Sequence, residues 1–297
     1  MKLSRLEYAR PASVAEAIEL LQGTEGAKII AGGQSLMPVL AFRLAAPPLL
    51  VDIGRLEDLR GTEITPVGTR LGARVRWCEI ERDAALRRAQ PLLAAMTDHV
   101  AHYQVRNRGT VGGSLAHADP AAEMPGVAVA CDAIMHVAGP AGIRDVKSED
   151  FFEGPLQTVL AEDELLVGLT LPPWPPGRRW AFEEFALRRG DFALAGVAVH
   201  YGRDAEGRAH GVRVGAIGAG ETPLRLHAVE AELEGRKIGE ALISSAAKLA
   251  AASVDPMNDL HADAEYRRAL VATLFERVML RAEHRQEEGE NGPAVHP

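Results

Sequence analysis

Cysteine is scarce: the chain has two, Cys78 and Cys131, far apart and in no CxxC arrangement. Four-cysteine iron–sulfur and zinc sites are thereby excluded. A single disulfide would need an oxidising compartment, and two buried thiols in a reducing one are the plainer expectation. Blocks of lysine or arginine are missing too, and the net charge is -8. Nucleic acid is therefore not an expected partner, because phosphate-backbone binding rests on clustered positive charge. No apolar run reaches membrane-spanning length. The opening stretch MKLSRLEYARPASV has no apolar h-region, so no signal peptide is expected. A soluble cytoplasmic protein is the expectation. The dinucleotide fingerprint G-x-G-x-x-G between a strand and a helix is not met either. Here the order is helix, strand, glycine loop, the spacing is GG, and Pro38 follows soon after.

What is present suffices for one large domain or two modest ones: 297 residues, 47% of them hydrophobic. Ser13 and Glu16 form a capping-box pattern ahead of Val14, Ala17, Ile18 and Leu21, which share one helical face, and Gly23 closes the helix. AKIIAGG predicts a short buried strand and LLVDIG another. ITPVGTRLGARVRW predicts short strands and turns. AALRRAQPLLAAMTDHVAH is helical, with Pro91 breaking or restarting it, and His99 and His102 are helix-surface residues in this account. VRNRGTVGGSLAHADPAAEMP has turn chemistry almost throughout and predicts a long functional loop. VAVACDAIMHVAG and DELLVGLTLP predict strands. PPWPPG is the candidate boundary, after which WAFEEFAL, LAGVAVHYG and GVRVGAIGAG predict three strands. Thr222 with Pro223 predicts a helix start, and two long helices follow. Strands first and helices afterwards predict an α+β domain, its small antiparallel sheet covered by helices on one face. The final QEEGENGPAVHP predicts a disordered tail, 286–297.

Two diglycine segments carry the chemistry: Gly32 and Gly33, then Gln34 and Ser35; and Gly112 and Gly113, then Ser114. Backbone N–H groups in such turns can converge on an anion, and glycine lets it come close. A diphosphate fits two such loops without a lysine. The competing account is a strand-end turn in each case. Beyond the second pair, His117, Asp119 and Glu123 lie close together in sequence. Their spacing matches no metal motif. Acid/base chemistry and carboxylates accepting hydrogen bonds from sugar hydroxyls remain open, as does a simple turn at Asp119 and Pro120.

AGGQSLMP (Ala31 to Pro38) together with VRNRGTVGGSLAHADPAAEMP (Val105 to Pro125) resembles the two signature segments of the FAD-binding medium subunits of molybdenum hydroxylases. This is the family of the carbon monoxide dehydrogenase medium chain and the xanthine dehydrogenase flavin domain. The resemblance implies an α+β chain with a para-cresol-methylhydroxylase-type (PCMH-type) FAD-binding domain, about 1–176, in two α+β subdomains of about 1–56 and 57–176. A CO dehydrogenase flavoprotein C-terminal-like domain of sheet and helices, about 177–285, would follow. It further implies that Ile29, Ile30, Ala31, Gly32, Gly33, Gln34, Ser35 and Leu36 wrap the FAD diphosphate, with Thr110, Val111, Gly112, Gly113 and Ser114 as the second wall. Val100 and Asp119 join the set. Glu123 would meet the flavin's sugar-like chain, and the Leu166 backbone would approach the isoalloxazine. Asp191 and Phe192, in RRGDFALAG, would lie near the flavin ring, with ordinary core packing the competing account of Phe192. Glu184 stands where the xanthine dehydrogenase branch has a lysine, a departure that touches how that branch tunes its flavin. No residue of this chain is nominated as catalytic or as a metal ligand.

The resemblance places a molybdopterin cofactor in a large partner subunit and 2Fe-2S clusters in a small one, in a dimer of heterotrimers. It makes this chain the electron exit to NAD, oxygen, a quinone or another acceptor. Two rivals stay open: a stand-alone FAD-dependent oxidase or reductase of the same fold, and a non-catalytic interaction protein whose glycines only make turns.

Overall fold

The computed structural model describes residues 3–284, so the tail 286–297 lies outside the described residues. The chain divides into two compact units. One comprises residues up to 119 together with 132–173; the other comprises 120–131 together with the residues from 174 onward.

The first unit opens with β1 (Glu7–Ala9), α1 (Val14–Gln22), β2 (Lys28–Ile30), α2 (Leu36–Ala41) and β3 (Leu49–Asp52). These strands make a parallel sheet in the order β1-β3-β2. α1 starts where its sequence dictates. Ser13 is extended and accepts the Glu16 N–H at 3.1 Å, while the Glu16 carboxylate accepts the Ala12 N–H at 2.6 Å. Ala17, Ile18 and Leu21 then join Val51 and Ile53 in one core cluster. β2 is less buried than AKIIAGG suggested. It is an edge strand paired only with β3, which leaves Ile29 and Ile30 half-buried.

The same unit continues with β4 (Thr62–Thr65), β5 (Gly68–Gly72), α3 (Trp77–Arg82), α4 (Ala84–Ala89), α5 (Pro91–Thr97), α6 (Tyr103–Arg106) and α7 (Val111–His117). After residue 131 it resumes with β6 (Ile134–Gly139), β7 (Gly142–Lys147), β8 (Phe152–Gly154), β9 (Gln157–Thr158) and β10 (Leu165–Leu171). β8 and β9 pair with each other, and the rest form an antiparallel sheet in the order β4-β5-β10-β6-β7. Leu165 and Val167 of β10 enter the core shared with α1 and β3. Pro91 restarts a helix rather than ending one: it occupies the first helical position of α5, where its missing N–H costs nothing. His99 falls in the turn after α5, and His102 precedes α6 as its N-cap residue, so neither sits within a helix. The glycine-rich segment 105–125 is not a loop but mainly short helices. Thr110 caps α7, and both of its glycines are helical.

The second unit holds α8 (Glu123–Ala130), β11 (Arg179–Phe185), β12 (Ala195–Arg203), β13 (Ala209–Ile217), β14 (Leu224–Arg225), α9 (His227–Leu233), α10 (Glu240–Ala252) and α11 (Ala264–His284). The strands form an antiparallel sheet in chain order. Val197, Val199, Tyr201, Val212 and Val214 share one core with Val229, Ile243, Val271 and Phe275 of α9, α10 and α11. Strand alternation turns Gly215 and Ile217 to the opposite face. There they meet α8: Gly126 lies under Ile217, and a Cβ on Gly215 would come within 2.9 Å of the Ala130 Cβ. Helices therefore cover both faces of this sheet, not one. α8 also corrects VAVACDAIMHVAG, whose first half is helix and second half strand. Each of its residues is buried, so no polar face betrays the helical period. Thr222 and Pro223 start no helix. Leu224 and Arg225 pair with Ala216 and Gly215 instead, and α9 begins only after Leu226. No described helix is long and apolar enough to cross a membrane.

Candidate functional site: a backbone cradle at the first glycine pair

β2 ends at Ile30, whose carbonyl accepts the Ile53 N–H at 3.1 Å. The chain then bends through Ala31 and Gly32 and turns at Gly33, where φ is +72. That left-handed conformation suits glycine and strains a β-branched residue. Gly32 is required for a different reason. A Cβ there would stand 2.8 Å from the Arg108 carbonyl carbon and 2.9 Å from the Gly109 Cα. Beyond the turn, Met37 N–H donates to the Gly33 carbonyl at 3.1 Å, and Val39 N–H donates to Ser35 at 3.4 Å. The Gln34 side-chain amide donates to the Gly32 carbonyl at 3.0 Å, which ties down an acceptor. Among the described residues, the backbone N–H groups from Gly32 to Leu36 find no protein acceptor, and the Ser35 hydroxyl makes no capping bond. The whole stretch from Ile29 to Met37 is half-buried, so these donors border solvent. Such a run of uncommitted amides, with a left-handed turn at Gly33, has the make-up of an anion-binding nest.

Asp52 stands beside this loop, paired with Ile30 across the sheet. Its carboxylate accepts the Tyr8 hydroxyl and, at 2.7 Å, the Gly54 N–H, and Arg10 approaches it at 3.4 Å. The hydrogen bond to Asp52 pushes the Tyr8 pKa up. Arg10 is the opposite charge that offsets this carboxylate.

The second glycine pair is brought against the first: a Cβ on Gly113 would lie 4.0 Å from the Ala31 Cβ. Its donors, however, are committed. Val111 N–H donates to Val75 at 2.9 Å, Gly112 N–H to Ala73 at 2.9 Å, and Ser114 N–H to Thr110 at 3.0 Å. Gly113 N–H donates to the Thr110 hydroxyl at 3.1 Å. This segment forms a wall beside the nest, not a second set of free amides.

Family models match most of the chain. Residues 4–174 match the FAD binding domain in molybdopterin dehydrogenase, and residues 180–282 match the CO dehydrogenase flavoprotein C-terminal domain. The chain belongs to the FAD-binding medium-subunit family of the molybdenum hydroxylases. It is 40% identical to the nicotine 6-hydroxylase medium subunit of Paenarthrobacter nicotinovorans, covering 95% of this chain and 99% of that one. A chain of carbon monoxide dehydrogenase from Hydrogenophaga pseudoflava superposes with a TM-score of 0.93 at 36% identity, covering 96% and 99% of the two chains. A chain of quinoline 2-oxidoreductase from Pseudomonas putida 86 superposes with a TM-score of 0.90 at 37% identity, covering 95% and 98%.

The other residues that the medium-subunit resemblance points to are distributed between the units. Val100 is buried just after α5, and its carbonyl accepts from the Arg106 guanidinium at 2.9 Å. Leu166 is buried in β10, where the ladder to β6 shifts register between Leu166 and Gly168. The intervening Val167 carbonyl accepts the Ala73 N–H at 3.0 Å, which links β10 to the backbone that holds Gly112. Asp119 lies just past α7 in the first unit. Glu123, the buried first residue of α8, belongs to the second unit, as do Asp191 and Phe192 in the connection from β11 to β12. Phe192 is 63% exposed, which rules out core packing as its role. Glu184 lies in β11 opposite Gly196. Two features of the cradle escaped the sequence: Arg108 and Gly109, on which Gly32 rests, and the buried Arg74. The one available signal for Arg74 was a lone charge inside the apolar stretch LGARV.

Proposed function

We infer that this chain is the FAD-binding, electron-transferring medium subunit of a molybdenum hydroxylase or dehydrogenase. Electrons come to it from 2Fe-2S clusters in a small partner subunit and leave for an external acceptor. The oxidation itself belongs to a large molybdopterin subunit, and the assembly we propose is a dimer of such heterotrimers in the cytoplasm. The observation that carries the reading is the run of uncommitted backbone donors from Gly32 to Leu36, backed by the Gly113 side of α7.

The residues present fit the cofactor. A dinucleotide's diphosphate needs several donors from close range, and the turn offers the amides from Gly32 to Leu36 with no protein acceptor. The Ser35 hydroxyl adds a donor, and Gln34 holds the Gly32 carbonyl away from an incoming anion. FAD, when bound, supplies the exchange between single-electron donors and a two-electron acceptor. The chain's own work is to bind, orient and tune. For Asp119, Glu123, Leu166, Asp191 and Phe192 we propose the roles that the resemblance implies. The Asp119 and Glu123 carboxylates would accept from sugar-chain hydroxyls, and Leu166, Asp191 and Phe192 would adjoin the ring.

The test is reconstitution. The purified chain is expected to take up FAD with a flavin absorption spectrum and to oxidise no hydroxylase substrate until both partner subunits are added. A colourless protein indifferent to FAD, or substrate oxidation by the chain alone, would overturn the reading.

A further inference from the structure

The nest is one arc of a closed ring of contacts. Ile30 at the mouth of the nest holds Ile53 through its carbonyl, at 3.1 Å. Gly32 rests on the backbone of Arg108 and Gly109. The Gly109 carbonyl accepts the Trp77 N–H at 3.4 Å, and Thr110 bridges to Arg76. Val111 and Gly112 donate to Val75 and Ala73. Between Ala73 and Val75 sits Arg74, and it returns to the start. Its guanidinium donates to the Leu56 carbonyl at 2.7 Å and to the Gly54 carbonyl, and Glu57 lies 3.2 Å away. Its own N–H donates to the Leu59 carbonyl at 2.8 Å. The loop it grips, Gly54 to Leu59, is the direct continuation of Ile53.

We propose that Arg74 is a positioning residue for the dinucleotide cradle. Its guanidinium locks the loop after β3 to the β5–α3 connection, and so fixes the spacing between the first glycine pair and the wall formed by α7. This rests on the functional reading above. Arg74 is 7% exposed, and a buried guanidinium bound to backbone carbonyls is a rigid fork with little freedom. A loop tied in this way cannot drift, and the strand exits on either side of it keep their register. Lysine reaches with one ammonium instead of a planar fork, so it restores the charge but only part of the geometry. A purely structural arginine would behave differently. Its loss would lower the unfolding midpoint yet leave cofactor affinity intact wherever the protein stays folded.

The experiment uses the full chain, stripped of flavin, as wild type, Arg74→Met and Arg74→Lys. Each is titrated with FAD well below its unfolding midpoint, with circular dichroism as the check on fold. Arg74→Met is expected to bind FAD about tenfold or more weakly than wild type, because small misplacements of a binding constellation are costly, with Arg74→Lys in between. If Arg74→Met does not fold, a loss of FAD affinity in folded Arg74→Lys supports the proposal, and wild-type affinity in that variant overturns it. Folded variants that bind FAD as wild type does, with only a lower midpoint, overturn it as well. A wild type that binds no FAD overturns the functional reading itself.

Discussion

Gly32–Gly33 and Gly112–Gly113 share a short signature of two glycines followed by a hydroxyl residue, yet they do opposite things with their backbone. The first pair leaves its amides unpaired at the end of an edge strand, with Gly33 in the left-handed region. The second pair is wound into α7, and its amides answer to Ala73, Val75 and Thr110. The glycines are needed in both places, for different reasons. At the first, a side chain on Gly33 would strain the left-handed turn, and one on Gly32 would press on Arg108 and Gly109. At the second, it would collide with the protein: a Cβ on Gly112 would stand 2.7 Å from the Ala73 Cα. The same dipeptide thus leaves its amides open in one segment and commits them in the other.

That contrast predicts a separation of phenotypes. The largest expected effect is on Gly33→Val, which forces a β-branched residue into a left-handed turn at a strain of roughly 1–2 kcal/mol or more and redirects the nest amides. The variant should fold and purify nearly colourless, as read by the ratio of flavin to protein absorbance. Full flavin occupancy would break the binding half of the comparison. Gly112→Ala should do the reverse. Overpacking against Ala73 should cost about 1–3 kcal/mol, measured by denaturant unfolding of the flavin-free chain. Thr110→Val removes the cap that Gly113 uses and should cost about 1 kcal/mol in the same measurement. If either change strips FAD without lowering stability, the packing half fails.

The smallest expected effect lies away from both pairs, and it serves as a control. Glu164 accepts from Arg144 through both oxygens at 2.7 Å, and that hydrogen bond holds its carboxyl below the ordinary value of 4.5. A lowered folded pKa stabilises the fold above the unfolded value, and the contribution is lost as pH falls through the folded one. Arg144→Met should therefore erase a slight acid-dependent loss of stability below about pH 4.5, seen in unfolding midpoints across pH, without touching flavin content.

Local signals in the sequence were good guides where neighbours along the chain decide the structure. Ser13 and Glu16 set α1, and the apolar runs LAGVAVHYG and GVRVGAIGAG marked β12 and β13. They failed where distant partners decide. The segment around Gly112 has the composition of a loop, but Thr110 caps it and Ala73 and Val75 take its amides, so it winds into a helix. The run from Val127 to Ala130 is apolar on every side, and periodicity cannot separate a buried helix from a buried strand. Thr222 and Pro223 have the pattern of a helix start, but pairing of Leu224 with Ala216 takes precedence. The site was legible to the same extent. The first glycine pair announced a backbone cradle, and no local feature said that the second had committed its donors or that Arg74 closes the ring.

Residue-resolved hydrogen exchange on the full chain, without and with FAD, tests the central claim most directly. The account predicts that the amides from Gly32 to Leu36 exchange freely in the flavin-free chain and become protected when FAD binds. Those from Val111 to Ser114 should be protected in both states. Open amides at Val111 to Ser114 that close on binding, with no change from Gly32 to Leu36, would contradict it.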